Sequence, residues 1–284
     1  MLLNPFNYHS PKTLKEACNL LGTLKSARIL SGGTFLINNL KSLKRKGLKT
    51  PADVISLQKI SEIKGVKTKS NKITIGAMET LDDIIQDKNI EKNCQILQTV
   101  ASNIATTQIR NMATIGGNVA CRYPWAEFAS CLIALDATLH FIQNNKTKKI
   151  VAENFFKNNA KPEGLLISIS IPIQKNTTIV YERVSKTAGV DVPMMTICIK
   201  ASIEKNILSN VRLVINDGVS FSKRDMSIEK ALEGSSVDEE IEEKMIATLN
   251  FKSYQLDTEY KEDLLKIHSK YAIKKLIAQI NDNA

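Results

Sequence analysis

Two short glycine-rich turns are the parts of this chain best suited to binding an anion. The first is "SGGT" at residues 31–34, and the second is "TIGGN" at residues 114–118. Successive backbone N–H groups that no Cβ obstructs bind anions, and the start of a following helix adds a favourable dipole. Thr34 and Thr114 contribute hydroxyl groups, and Asn118 contributes an amide. Facing each other at the ends of strands, two such turns would suit a diphosphate; taken singly, each could also be a tight bend.

Neither turn matches a standard nucleotide-binding motif. The chain contains no G-x-x-x-x-G-K-[ST] sequence and no G-x-G-x-x-G sequence. Its three histidines, His9, His140 and His268, lie far apart, and no Ser/His/Asp or Cys/His constellation is visible. Five cysteines, at positions 18, 94, 121, 131 and 198, form no C-x-x-C pair. The sequence therefore predicts no metal or iron–sulfur site in this chain, so redox chemistry would require an organic cofactor or a partner.

The composition is that of a soluble globular protein, with 43% hydrophobic and 24% charged residues among 284. The apolar run "LLISISIPI" is too short to span a bilayer, and the amino terminus lacks the pattern of a signal peptide. We therefore expect a cytoplasmic protein. The net charge of +10 leaves nucleic-acid binding open, but the one dense basic cluster, "KSLKRKG", contains no aromatic residue for base stacking. Lysines spread over solvated faces are the favoured interpretation.

The elements that position the two turns can be predicted from periodicity. A helix is expected over residues 10–22, with Ser10 as its cap, Pro11 in its first position and Gly22 at its end. The buried strand "ARIL" then leads into the first turn, Thr34 can cap a following turn or helix, and "DVISL" forms the next strand.

The remaining elements form a second and a third unit. "VKTKSNKITIG" predicts a hairpin, and Thr80 with Asp83 predicts a capping box. Helices near residues 94–104 and 124–135 and strands near residues 137–142 and 165–173 complete the second unit. Three successive strands and a helical layer, including a long helix at residues 260–280, follow from about residue 178, which predicts an α+β module.

An ordered set of segments resembles the FAD-binding medium subunit of molybdenum hydroxylases. The set comprises "ILSGGTFLINNLK", "IRNMATIGGNVACRYPWAEFASCLIALDATLHF", "YERVSKTAGVDVPMMTICIKA" and "INDGV". The resemblance covers essentially the whole chain. It implies an α+β protein in which a two-subdomain α/β FAD-binding domain of the PCMH type precedes a three-stranded antiparallel sheet with a helical bundle. The implied FAD-binding domain is 1–174, with subdomains of about 1–57 and 58–174, and the implied carboxyl-terminal domain is 175–284.

The resemblance also implies which residues bind FAD. The two glycine turns would hold its diphosphate, Glu127 would accept a hydrogen bond from a sugar or ribityl hydroxyl, and Leu166 would pack near the flavin ring. Arg183, or less favourably Lys186, would stabilise a reduced, anionic flavin. A surface role for Glu127 and a core role for Leu166 remain the alternatives. The implied site is Ile29, Leu30, Ser31, Gly32, Gly33, Thr34, Phe35, Leu36, Thr114, Ile115, Gly116, Gly117, Asn118, Glu127, Leu166 and Arg183.

Some residues depart from the family's pattern. Phe35 stands where an acidic or small polar residue is usual, and "CRYPWAE" replaces an "ASPAAD" type of sequence, which predicts a reshaped adenine side. Trp125 is expected to pack on the cofactor or to cover a helix. Arg110 is expected to balance phosphate charge or to cap a helix. Cys121 and Cys131 are interpreted as packing residues, since the sequence shows no partner ligands for them. The chain also lacks the cysteine-rich insertion of benzoyl-CoA-reducing relatives, so no iron–sulfur cluster is expected in it.

The function that the resemblance implies is electron transfer. A partner subunit with a molybdenum cofactor would oxidise the substrate, a partner with [2Fe-2S] clusters would relay electrons, and FAD on this chain would pass them to NAD or another acceptor. "SKTAGVDVP" favours a xanthine- or purine-type dehydrogenase. The alternatives are a self-contained flavin oxidoreductase of the same fold and, less favoured, a basic nucleic-acid-binding module.

Overall fold

Three β-sheets, which follow one another along the sequence, organise the part of the chain described by the computed structural model. That part comprises residues 2–143, 146–157, 163–174, 176–237 and 240–282. The strands are β1 (Asn7–His9), β2 (Arg28–Leu30), β3 (Asp53–Ser56), β4 (Val66–Lys69), β5 (Lys72–Gly76), β6 (Thr138–Gln143), β7 (Lys146–Val151), β8 (Leu165–Pro172), β9 (Thr177–Val184), β10 (Met195–Glu204), β11 (Ile207–Asn216) and β12 (Lys223–Arg224).

Helices lie between and around these sheets. They are α1 (Leu14–Thr23), α2 (Leu36–Arg45), α3 (Leu81–Gln86), α4 (Lys88–Cys94), α5 (Ile96–Asn103), α6 (Thr107–Arg110), α7 (Ile115–Cys121), α8 (Glu127–Ala134), α9 (Ala152–Lys157), α10 (Met226–Leu232), α11 (Ile241–Thr248) and α12 (Glu259–Asp282). Within the described ranges, none has both the length and the hydropathy that a membrane span requires.

The first sheet is parallel and has the strand order β1-β3-β2. Several local predictions for this unit are wrong. Helix α1 begins at Leu14 rather than near Ser10, because the Thr13 hydroxyl accepts the N–H of Glu16, and Gly22 lies inside the helix rather than at its end. Strand β2 is partly exposed rather than buried. Helix α2 has Phe35 at its N-cap without a side-chain hydrogen bond, so Thr34 is not its cap.

The second sheet is antiparallel and has the order β4-β5-β8-β6-β7. The predicted hairpin is confirmed, since Ser70 and Asn71 turn the chain with φ of 51° and 55°. The latest strand in sequence, β8, occupies the centre and pairs with both β5 and β6. The capping box is also confirmed, with Asp83 N–H on the Thr80 hydroxyl at 3.0 Å and Thr80 N–H on the Asp83 carboxylate at 3.1 Å.

The third sheet has the order β12-β11-β10-β9 and packs on both of its faces. Alternate residues of β10 explain this: Ile197 and Ile199 join the core beneath α10, α11 and α12, whereas Cys198 joins the core of the second sheet. Helix α8 lies against β10 and β11 on that second face. Each sheet falls within one of the predicted domain ranges, although the boundaries themselves remain a prediction.

An ion pair between a buried lysine and a partly exposed aspartate joins the second and third units. The side chain of Lys200 in β10 has no solvent exposure, and its Nζ lies 2.8 Å from Oδ2 of Asp136 in the turn between α8 and β6. Arg212 Nε lies 3.6 Å from the other carboxylate oxygen. Partial burial raises the pKa of Asp136, but the hydrogen bond and charge of Lys200 and the charge of Arg212 outweigh it, so the pKa is lowered overall.

Candidate functional site

A cleft of about 810 Å³ lies between the first and second units, and the β9–β10 loop closes one side of it. This volume is within the range of cofactor and ligand sites. Residues 190–193 of that loop line the cleft together with parts of both glycine turns. The predicted site residues that line it are Ile29, Ser31, Gly32, Gly33, Thr34, Phe35, Leu36, Thr114, Gly116, Gly117, Asn118, Glu127 and Leu166.

The glycines of each turn have two different roles. A Cβ on Gly32 would lie 1.9 Å from the Met112 carbonyl oxygen, and one on Gly116 would lie 2.5 Å from the Ala77 carbonyl oxygen. These two positions therefore require glycine because another backbone segment approaches them. Gly33 has a φ of 76°, which favours glycine. At Gly117 a Cβ would meet only side chains, at 3.0 Å or more, so its surface faces the cleft.

The first turn presents unpaired backbone donors. Within the described part of the chain, the N–H groups of Gly32, Gly33, Thr34, Phe35 and Leu36 make no hydrogen bond. The Asn38 side-chain amide donates to the carbonyl oxygen of Thr34 at 3.0 Å and so holds the turn. Consecutive N–H groups left open in a glycine turn are the donor set that binds phosphate oxygens. This observation agrees with the predicted anion site.

The second turn differs from the expectation. It does not follow a strand; its glycines form the first turn of α7, and the N–H groups of residues 115–118 already have protein acceptors. Ile115 donates to Glu79, Gly116 to Ala77 and Asn118 to Thr114 through backbone carbonyls, while the Thr114 hydroxyl accepts the N–H of Gly117 at 3.0 Å. Backbone donation to a ligand is therefore a feature of the first turn and not of this one.

A pair of hydroxyl groups joins the two turns. Ser31 Oγ lies 2.6 Å from Thr114 Oγ1, across 83 residues of sequence. The sulfur of Met78 accepts a hydrogen bond from the same serine. Because the Thr114 hydroxyl also caps α7, this contact sets the position of the first turn relative to the start of that helix.

Asn118 contributes an oxygen that needs a donor. Its Oδ1 is buried and has no hydrogen-bond partner in the described residues, although the side chain lines the cleft. A buried acceptor without a partner costs free energy unless a ligand or water satisfies it. The first turn offers donors, Gly117 offers space, and Asn118 offers an acceptor. This set fits a phosphate group with an attached hydroxylated sugar.

Glu127 is a buried carboxylate on the cleft wall. Its Oε2 accepts hydrogen bonds from Tyr181 Oη at 2.8 Å and from Arg183 Nε at 3.0 Å. Burial raises the pKa of Glu127, and the hydrogen bonds from Arg183 and Tyr181 oppose that rise only in part. No hydrogen bond in the described residues uses Oε1, which leaves this atom available to a ligand hydroxyl.

Three predicted site residues do not line the cleft. Leu30 packs beneath the first turn, and Ile115 is fully buried in the core of the second unit. Arg183 lies behind Glu127, and its guanidinium also donates to the backbone carbonyl of Asp191. Its charge is therefore balanced by Glu127 rather than presented to the cleft. Lys186 is solvent-exposed and does not line the cleft.

The structure shows the surroundings of three residues whose roles the sequence left open. Arg110 Nη1 donates to the carbonyl oxygens of Ile104 and Ala105, each at 3.0 Å, so this residue caps the end of α5. Cys131 is buried, as expected of a packing residue, but the same interpretation is wrong for Cys121, which is exposed and lines the cleft. In the described part of the chain, no group of His, Cys, Asp and Glu side chains is arranged to hold a metal ion.

Sequence reasoning missed Tyr123. This residue lines the cleft between Phe35 and Trp125; its ring stacks on that of Trp125 and contacts the tilted ring of Phe35. The signal was present in "CRYPWAE", where two aromatic residues precede the start of α8.

The chain is similar to known proteins over most of its length. Residues 4–174, more than half of the 284, match the family described as "FAD binding domain in molybdopterin dehydrogenase". The glyceraldehyde dehydrogenase medium chain of Sulfolobus acidocaldarius is 24% identical over 280 residues, covering 95% of this chain and 98% of that one. The carbon monoxide dehydrogenase medium chain of Hydrogenophaga pseudoflava is 30% identical over 192 residues, covering 65% of each chain.

A solved structure has the same fold. A chain of the Hydrogenophaga pseudoflava carbon monoxide dehydrogenase that lacks the Mo-pyranopterin moiety superimposes with a TM-score of 0.88 at 24% identity. The match covers 98% of this chain and 99% of the other. At this identity the likeness concerns the fold, and it confirms the predicted combination of an α/β domain with a carboxyl-terminal sheet and helices.

Proposed function

This chain belongs to the family of FAD-binding domains of molybdopterin dehydrogenases, and we propose that it is the flavin-bearing electron-transfer subunit of a molybdenum hydroxylase. The observation that supports this proposal most directly is the first glycine turn, whose five consecutive N–H groups have no partner in the described residues and line a cleft of about 810 Å³. A dinucleotide carries the diphosphate and the hydroxyl groups that such a cleft can bind.

Each part of the cleft has a role toward FAD under this proposal. Gly33 and Thr34 donate their N–H groups to the diphosphate, and Gly117 leaves room for it. Asn118 Oδ1 and Glu127 Oε1 accept hydrogen bonds from sugar or ribityl hydroxyls, and Leu166 packs against the flavin ring. When bound, FAD supplies the electron-accepting chemistry, while the protein positions it and excludes water.

The partners are proposed to be a large subunit with a molybdenum cofactor and a small subunit with [2Fe-2S] clusters. The motivation is that the described residues provide no metal site, yet the chain belongs to a family of redox domains. We expect material purified from its native cell to elute well above 31.6 kDa and to contain two further polypeptides with molybdenum and iron. A fully active monomer would contradict this assembly.

The test of FAD binding is direct. Refolded or recombinant chain, incubated with FAD and desalted, should retain one FAD per chain and show the visible absorption of an oxidised flavin. Binding of DNA by a colourless protein would instead support the nucleic-acid alternative. Turnover of NADPH and a small substrate by this chain alone would support a self-contained oxidoreductase.

The proposal also covers the electron acceptor and the substrate of the assembly. We propose NAD or another acceptor, and a purine-type substrate; reduction of NAD by the native assembly on addition of xanthine tests the first acceptor and the substrate together. The loop that suggested a purine substrate, "SKTAGVDVP", contributes residues 190–193 to the cleft. Under this proposal the loop contacts FAD and not the substrate that is oxidised on another subunit. The assay must therefore identify the substrate.

A further inference from the structure

Three aromatic side chains form a row along the cleft, the aromatic stack, in which Tyr123 and Trp125 are stacked and Phe35 is tilted against Tyr123. Phe35 follows the first glycine turn directly, whereas Tyr123 and Trp125 lie in the segment between α7 and α8. The ring centroids of Phe35 and Tyr123 are 4.7 Å apart with an interplanar angle of 48°. Those of Tyr123 and Trp125 are 4.6 Å apart at 26°, which is a stacked arrangement. All three side chains line the cleft.

The two outer members of the stack are exposed to solvent. Phe35 is 41% exposed and Trp125 is 40% exposed. Of the 16 exposed large apolar side chains in the described residues, five line this one cleft, namely Phe35, Ile109, Trp125, Val190 and Val192. Exposed apolar groups that cluster in this way mark a binding surface, whereas scattered ones do not.

We propose that the ring pair of Tyr123 and Trp125, extended by Phe35, stacks on one of the two flat heteroaromatic rings of the bound dinucleotide and fixes that end of the cofactor. The inference rests on the proposed function, because it assumes that the cleft binds FAD. Aromatic faces bind such rings without needing particular hydrogen-bonding edges. Adenine and isoalloxazine share this chemistry.

The polar groups beside the stack favour a nucleotide over a partner protein as its occupant. The open N–H groups of the first turn run up to Phe35 itself. Glu127, with its available Oε1, is two residues after Trp125. A ring joined through a sugar to a diphosphate satisfies all three features at once, whereas an apolar protein surface would leave the donors and the carboxylate without partners.

The test compares FAD dissociation constants among variants of one ring. Trp125→Leu should raise the Kd about tenfold, since base–aromatic stacking contributes about that much or more, and tenfold corresponds to about 1.4 kcal/mol. Trp125→Phe keeps a flat ring and should remain within about twofold of the wild type. Tyr260→Leu, which removes a 63% exposed ring of α12 outside the cleft, serves as the matched control and should change nothing. Ultrafiltration measures the Kd, and far-UV circular dichroism checks the fold.

Two partial ligands, riboflavin and ADP, show which ring of FAD lies on the stack. The Kd of riboflavin should depend on Trp125 if the stack holds isoalloxazine, and the Kd of ADP should depend on it if the stack holds adenine. Phe35→Leu, at the other exposed end, provides an independent variant. FAD binding that is the same in wild type, Trp125→Leu and Phe35→Leu would overturn the stacking inference alone. A wild-type chain that binds no FAD would overturn the proposed function and this inference together.

Discussion

Substitutions at Gly117 and Gly32 should have different effects, the first on FAD binding and the second on folding. Gly117 does not have a positive φ, and its Cβ would point toward Ser31 at 3.7 Å, within the cleft. Gly117→Val should therefore give a folded protein whose FAD binding is about a hundredfold weaker, because a branched side chain displaces one or more charge-assisted hydrogen bonds. Bound flavin and circular dichroism, measured on the same sample, check this.

Gly32→Ala is the matched variant for folding. Its Cβ would lie 1.9 Å from the Met112 carbonyl oxygen, a separation that neither backbone segment can accept. We expect insoluble or unfolded protein from this smaller substitution. If Gly117→Val retained its full complement of FAD, the second turn would have no place beside the diphosphate.

Glu127 should make FAD binding dependent on pH. Burial raises its pKa above that of an ordinary glutamate, and a hydrogen bond from a ligand hydroxyl favours the carboxylate form. FAD affinity should therefore be full above the raised pKa and should fall as the pH decreases through it. Titrations of FAD between neutral and acidic pH measure this change. The Glu127→Gln variant should bind more weakly and without that pH dependence; an unchanged profile would contradict the assignment.

Helix α7 depends on Thr114 as its N-cap. The Thr114 hydroxyl accepts the N–H of Gly117 and contacts Ser31, so Thr114→Val removes both interactions. The loss of the cap should reduce the free energy of unfolding by about 1 kcal/mol, and Thr114→Ser should retain most of it. Urea denaturation of the two variants measures the difference. A large loss of FAD affinity in Thr114→Val with unchanged stability would instead indicate that the hydroxyl binds the ligand.

Local signals in the sequence were sufficient for two features of the second unit. The hairpin at Ser70 and Asn71 and the capping box of Thr80 and Asp83 depend on residues only a few positions apart, so periodicity and spacing predict them. Strand β7 was missed because its sequence, "KTKKIV", is charged and mostly exposed, which hides the alternation of a half-buried strand.

Contacts between segments that are distant in sequence could not be predicted from periodicity and spacing. The roles of Gly32 and Gly116 depend on the carbonyl groups of Met112 and Ala77, which only the fold brings next to them. For the same reason, the sequence could not show that the N–H groups of residues 115–118 already have acceptors within the protein. The resemblance therefore predicted most of the residues that line the cleft. It did not predict which of them donate hydrogen bonds, which leave space and which pack against other segments.

The ion pair between Lys200 and Asp136 should contribute strongly to the attachment of the third unit. Asp136→Asn leaves a fully buried ammonium without its partner and should cost about 3 kcal/mol or more. Lys200→Met leaves a carboxylate that is 40% exposed and still near Arg212, so it should cost much less. Denaturant titrations of both variants test this order, and equal costs would contradict it.

The same ion pair predicts an acid-labile contribution to stability. The pKa of Asp136 in the folded protein is lowered, so the unfolded chain binds the proton more readily. The contribution is therefore complete above the ordinary aspartate pKa of about 3.9 and is lost as the pH falls toward the lowered value. The stability difference between wild type and Asp136→Asn should shrink below about pH 4. A difference that grows on acidification would exclude this origin.

The central place of β8 has a consequence for the order in which the molecule can be built during synthesis. Its neighbours β5 and β6 leave the ribosome first, and neither can complete its pairing until Pro172 has emerged. A nascent chain that ends before this strand carries two unpaired strand edges, which are the usual origin of aggregation. Chains released at about residue 150 should therefore be protease-sensitive and should bind chaperones, whereas chains that extend past 174 should become resistant in one step.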